Sequence, residues 1–107
     1  MTLEEYRQLA ARTINPKCTL MEQEMHALHL LSAEVGEIHS LYQKVYQGHD
    51  LNEEELALEL GDLLWGIAEL CSAKGWKLVD IAAKNIEKLR RRYPDGFDEE
   101  KSLHRKE

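Results

Sequence analysis

Positive charge, cysteine, proline and aromatic residues are all in short supply in this chain of 107 residues. Fourteen basic against 20 acidic side chains leave a net charge of −6, which argues against a protein that coats a nucleic acid polymer. The two cysteines, Cys18 and Cys71, stand far apart and form no CxxC unit, so neither a zinc knuckle nor a disulfide scaffold is indicated. No apolar run approaches the roughly 18 residues of a membrane span, and no signal-peptide core opens the chain. A cytoplasmic protein without a membrane partner is the expectation. What is present is 43% hydrophobic and 32% charged, a globular composition sized for one domain.

The 6 glycines and 2 prolines fall mostly where helices would end. Thr2 with Glu5, and Thr19 with Glu22, have capping-box spacing, and Asn15-Pro16-Lys17 reads as a break between them. Helices are therefore predicted at about 3–13, at 20–47 ended by Gly48, from a cap at Asp50 or Asn52 to about Ala73 before Gly75, and at 78–92. Tyr93-Pro94-Asp95-Gly96 imposes a turn. One helical domain over 1–97 and a charged, frayed tail over 98–107 follow. No alternating strand pattern and no internal repeat is visible.

Apolar residues recur at helical spacing. Leu28, Leu31, Val35, Ile38, Tyr42 and Val45 make one stripe on the second helix, suited to close antiparallel packing. Leu56, Leu60, Leu63, Ile67 and Leu70 do the same on the third, and Leu78, Ala82, Ile86, Leu89 and Tyr93 on the fourth. The fold class is all-α, a four-helix antiparallel bundle. Ala27, Leu30 and Leu41 form a second apolar line on the second helix, so wide a face that completion by oligomerisation is expected.

Two acids interrupt that second line. Glu34 and Glu37 lie three apart and project from one face, and Glu59 and Asp62 repeat the spacing beside the third helix's stripe. Counted from the helix ends, the pairs are offset by about 4 residues, or about 6 Å of rise, which a lopsided loop can absorb. Any one of these acids reads most simply as the solvated rim of an amphipathic helix. Two pairs on facing helices repel and lose hydration unless a cation joins them. All-oxygen ligation favours Mg²⁺ or Mn²⁺, and magnesium shares its shell readily with phosphates. Gly36 and Gly61 each sit inside a carboxylate pair, where close helix approach is the plain explanation for a costly mid-helix glycine.

Three segments carry a resemblance: Ala33-Glu-Val-Gly-Glu-Ile38, Leu58-Glu-Leu-Gly-Asp-Leu-Leu-Trp65, and the basic stretch from Lys84 through Arg91 to Phe97. In this order they resemble the MazG-like nucleotide pyrophosphohydrolases, of the all-α NTP pyrophosphatase superfamily, over about 20–97. The resemblance implies hydrolysis of a nucleoside triphosphate to the monophosphate and pyrophosphate. It implies Glu34, Glu37, Glu59 and Asp62 as Mg²⁺ ligands, and a homodimer or homotetramer. The family pattern usually begins with two adjacent acids, and Ala33 stands in place of the first.

The residue types suit that chemistry. Phosphoryl hydrolysis is mainly positioning and charge neutralisation, and Glu37 is the carboxylate expected to take the proton of the attacking water. Lys84, Lys88 and Arg91 line one helical face that can grip phosphates, with Asn85 beside it. A solvated basic face is the simpler alternative. Trp65, Tyr93 and Phe97 are candidates to stack on a base, and equally for core or turn packing. His26 and His29 lack a His or Cys partner for zinc, which leaves a surface role or a substrate contact. His39 and His49 take no assignment.

Two other readings compete. A phosphoribosyl-ATP pyrophosphohydrolase shares the scaffold and metal logic, although the Lys84–Phe97 segment looks more like the MazG branch. A helical dimerisation or binding module with a dead site is the second, and Ala33 is its best support.

Overall fold

A computed structural model describes residues 1–104. Within them lie α1 (Leu3–Ala11), α2 (Leu20–Tyr46), α3 (Glu53–Lys74), α4 (Leu78–Arg92) and α5 (Glu99–Leu103). The described chain is all helical, and no helix in it is long and apolar enough to cross a membrane. Residues 105–107, the end of the expected tail, lie outside the described residues.

The boundaries follow local chemistry. Both capping boxes form: Thr2 accepts from the Glu5 amide and Thr19 from the Glu22 amide, and each glutamate returns a bond to its threonine's amide. Helix α2 ends in a Schellman turn, in which Gly48 adopts φ 95° and His49 N–H donates to the Lys44 carbonyl at 3.0 Å. Asn52 caps α3, whose first turn carries Glu53, Glu54 and Glu55 against the helix dipole. Pro94 disfavours helical geometry at Tyr93, and α4 stops there. The one unforeseen element is α5, a short helix whose cap Asp98 accepts from the Lys101 amide.

Helices α2 and α3 pair as an antiparallel hairpin, α1 lies on α3, and α4 packs on α1 and α3. His26 meets Glu69, Leu30 and Leu31 meet Gly66, and Glu34 meets Glu59 and Asp62. Each pair straddles residue 48, so the register is centred on the Schellman glycine rather than midway between the helix ends. Centring it there removes the offset expected from the sequence. Lys74 Nζ and Glu24 tie the far end at 2.7 Å.

Two expectations about this pairing are corrected. A Cβ on Gly36 or Gly61 would meet nothing within 4 Å, so neither glycine marks a close approach. Gly66 does: a Cβ there would stand 2.8 Å from Leu30 Cδ2 and 2.9 Å from Leu31 Cδ2. Nor is the Leu28–Val45 stripe the centre of the packing. The line of Ala27, Leu30, Glu34 and Leu41 faces α3, whereas Leu28, Val35, Tyr42 and Val45 are 41–48% exposed. Small residues decide the matter, because fully buried Ala27 and buried Gly66 let the backbones approach.

The open stripe on α2 lies one residue after its contact line, and so does the Leu56–Leu70 stripe on α3. In antiparallel helices that one-residue advance turns both stripes to the same side of the hairpin. Leu60 and Ile67 are exposed there too.

On the other side, Ala68, Cys71 and Leu78 form a small buried cluster, with Tyr6, Ala10, Leu64 and Ile81 against it. Arg7 Nη1 reinforces it by donating to Ser72 Oγ at 3.1 Å, while the same guanidinium pairs with Glu4. Burial pushes the Cys71 thiol up from its ordinary value. Along α4 cover thins out, from buried Leu78 to exposed Ile86 and Leu89. The radius of gyration is 17.1 Å, against about 13 Å for a compact domain of this length.

Candidate metal centre

The centre of the hairpin carries the carboxylates. Glu34 projects from α2, and Glu59 and Asp62 project one turn apart from α3, with one oxygen from each lying within 4.8 Å of the others. Three carboxylate oxygens gathered this closely are a donor set of the kind a hard divalent cation would take. Glu34 Oε2 is buried and has no hydrogen-bond partner. A hydrogen bond with Glu34, then partial burial and the Glu34 charge, raise the Glu59 carboxyl above its ordinary value of 4.5. The negative field reaches Tyr6 on α1, whose hydroxyl is raised by burial and then by Asp62. An orphaned acceptor and a carboxyl that resists ionisation are what a cation would relieve.

Glu37 does not join the trio. It lines an adjoining groove of about 400 Å³ with Lys44, Asp50, Glu55 and Glu59. Glu55 was not singled out in the sequence, yet its hydrogen bond partly offsets the rise at Glu59. It lies one turn before Glu59, on the line through Asp62, Gly66 and Glu69, and that line was the available signal.

The basic candidates lie elsewhere. Lys84 borders a separate concavity of about 550 Å³ with Trp76, Lys77 and Asp80. Arg91 Nη1 donates to Glu87 at 3.1 Å, one turn back on α4. Asn85 is exposed and Lys88 half-buried on the same helix. Tyr93 packs on Phe97 with ring centres 5.6 Å apart. Trp65 is half-buried, and its indole N–H donates to Thr13 Oγ1 at 2.7 Å.

His26 was the least specified of the candidates. Its Nδ1 lies 2.7 and 3.0 Å from the two carboxylate oxygens of Glu69, which is 3% exposed. Its ring stands edge-on to Trp65, with centres 6.1 Å apart. Glu69 ends the Glu55–Asp62 line, but spacing along α3 gives no sign of the partner it meets on α2.

A helical hairpin with acids turned into its seam defines a class, the all-α domains that gather carboxylates between helices. Comparison narrows it. The family model for the MazG nucleotide pyrophosphohydrolase domain matches residues 22–97, and the chain belongs to that family. No curated protein and no solved structure matches it.

Proposed function

We propose that this protein is a divalent-cation-dependent nucleoside triphosphate pyrophosphohydrolase of the cytoplasm, releasing a nucleoside monophosphate and pyrophosphate. The observation that carries the reading is the convergence of Glu34, Glu59 and Asp62 in a chain of the MazG family. These three would hold Mg²⁺, with Mn²⁺ as a substitute. When bound, the ion supplies neutralisation of phosphate charge and acidification of the attacking water. Glu37 borders the trio's groove without belonging to the trio, which suits it to accept the water's proton as attack on the α-phosphate proceeds. Lys84, Asn85, Lys88 and Arg91 are the candidate grips for the leaving phosphates, and Trp65 and Tyr93 for the base.

The open stripe from Leu28 to Val45, with Leu60 and Ile67 beside it, supports a homodimer or homotetramer. In that assembly a second hairpin covers this face and completes a four-helix bundle. Lys84, which borders a different concavity from the acids, reaches a shared site most simply from another subunit.

The test is release of pyrophosphate from a panel of ribo- and deoxynucleoside triphosphates and phosphoribosyl-ATP, with Mg²⁺, with Mn²⁺ and with EDTA. Metal-dependent release with a monophosphate co-product is expected. Turnover of phosphoribosyl-ATP alone would transfer the assignment to that reaction, and no turnover would leave a binding module.

A further inference from the structure

Glu69 is a charged residue buried to 3% exposure. It sits in the α2–α3 seam and spends both carboxylate oxygens on a single nitrogen, His26 Nδ1. An ionised carboxylate only accepts, so the shared proton lies on Nδ1 and the ring's tilt and tautomer are fixed. The imidazole itself is not buried: 57% of its side chain stays exposed, and no described residue pairs with Nε2. A buried charge is thus spent on aiming an open nitrogen at solvent.

The second wall is equally fixed. Trp65 stands perpendicular to the imidazole, anchored through its N–H to Thr13 Oγ1, which in turn donates to the Ala10 carbonyl at 2.7 Å. Elements α1, α2 and α3 therefore build one rigid aromatic corner. His26 precedes Glu34 by 8 residues, about 12 Å of helix rise, and Trp65 follows Asp62 by 3, about 4.5 Å. The corner lies beside the carboxylate trio along the same seam, within reach of the sugar and base of a nucleotide whose phosphates are held there.

We propose that His26 is a specificity residue whose Nε2 hydrogen-bonds the edge of the nucleobase, and that Glu69 is the positioning residue that aims it. The inference rests on the pyrophosphohydrolase reading above. A neutral Nε2 accepts from an exocyclic amino group, and a protonated one donates to a ring oxo group, so a preference for adenine reports the first form and one for uracil the second.

The experiment compares kcat and KM for ATP, GTP, CTP and UTP across wild type, H26F, H26Q, E69Q and the double variant H26F/E69M. The double variant removes the buried charge together with its partner and so stays foldable. Expected is a wild type with a marked base preference. In H26F and in the double variant KM for the preferred base rises about tenfold or more, the loss falls on KM rather than kcat, and the spread among the four bases collapses to about threefold or less. E69Q shows an intermediate loss, and H26Q recovers part of the preference through its amide. A wild type indifferent to base, or an unchanged spread in H26F and the double variant alongside a lowered melting temperature, reduces the pair to a structural tie and overturns the proposal. Absence of pyrophosphate release from every substrate is a different failure. It sinks the reaction assignment itself, and this inference with it.

Discussion

Glu34 and Glu59 face each other across the hairpin, and hydrogen bonding with Glu34, then burial and the Glu34 charge, raise the Glu59 carboxyl above its ordinary value of 4.5. Folding thereby raises the affinity of Glu59 for its proton. The associated stability is full below about pH 4.5, the ordinary value, and is lost as pH rises through the raised one. In EDTA, melting curves should show this loss in wild type and not in E59Q.

Divalent cations should reverse it. Millimolar Mg²⁺ or Mn²⁺ is expected to raise the melting temperature by several degrees at neutral pH, since saturation at a hundred times Kd is worth about 2.7 kcal/mol. E34Q, E59Q and D62N should abolish the gain while melting no lower than wild type in EDTA, because each relieves repulsion. An undiminished metal response in all three variants would sink the assignment of the trio.

Glu37 separates binding from chemistry. E37Q should lower kcat for pyrophosphate release by about 10²–10⁴, and because Glu37 lies outside the trio the Mg²⁺ thermal shift should survive. Loss of both together would make it a ligand rather than a base.

The glycines should respond in opposite directions. G36A and G61A put a methyl into open space on a helix and should each stabilise by about 0.5–1 kcal/mol. G66A drives a methyl against Leu30 and Leu31 and should destabilise by about 1–3 kcal/mol less its helix-propensity gain. Chemical denaturation of the three variants checks this.

Charges on the open face test the assembly. Wild type should sediment as a dimer or tetramer, whereas V35E/L60E, both at exposed positions, should shift the population toward monomer. A wild type monomeric at micromolar concentration would refute the expected covering of this face.

Helix limits were legible because caps are local: Thr2, Thr19, Asn52 and Gly75 each act within a turn of themselves. The seam was not. Two apolar lines run side by side on α2, and periodicity alone cannot choose between them. The choice fell to Ala27 opposite the small residues of α3, and it brings Glu34 inward. The same limit hid Glu69, whose meaning depends on a partner 43 residues away. The carboxylates were legible because acids within an apolar row break a pattern, whereas the surroundings of Trp65 depend on Thr13, across two helix boundaries.

Centring the register on Gly48 also orders the folding of the hairpin. Contacts between α2 and α3 are nested, each enclosing a longer loop than the one inside it, so zipping outward from the glycine turn closes them in sequence at small entropic increments. Glu34 closes loops of 25 and 28 residues with Glu59 and Asp62, and the His26–Glu69 pair one of 43. The three carboxylates therefore meet before the aromatic corner, at a lower loop-closure cost. A metal ion present during refolding would act on this nucleus and accelerate folding itself, as well as stabilising the finished protein.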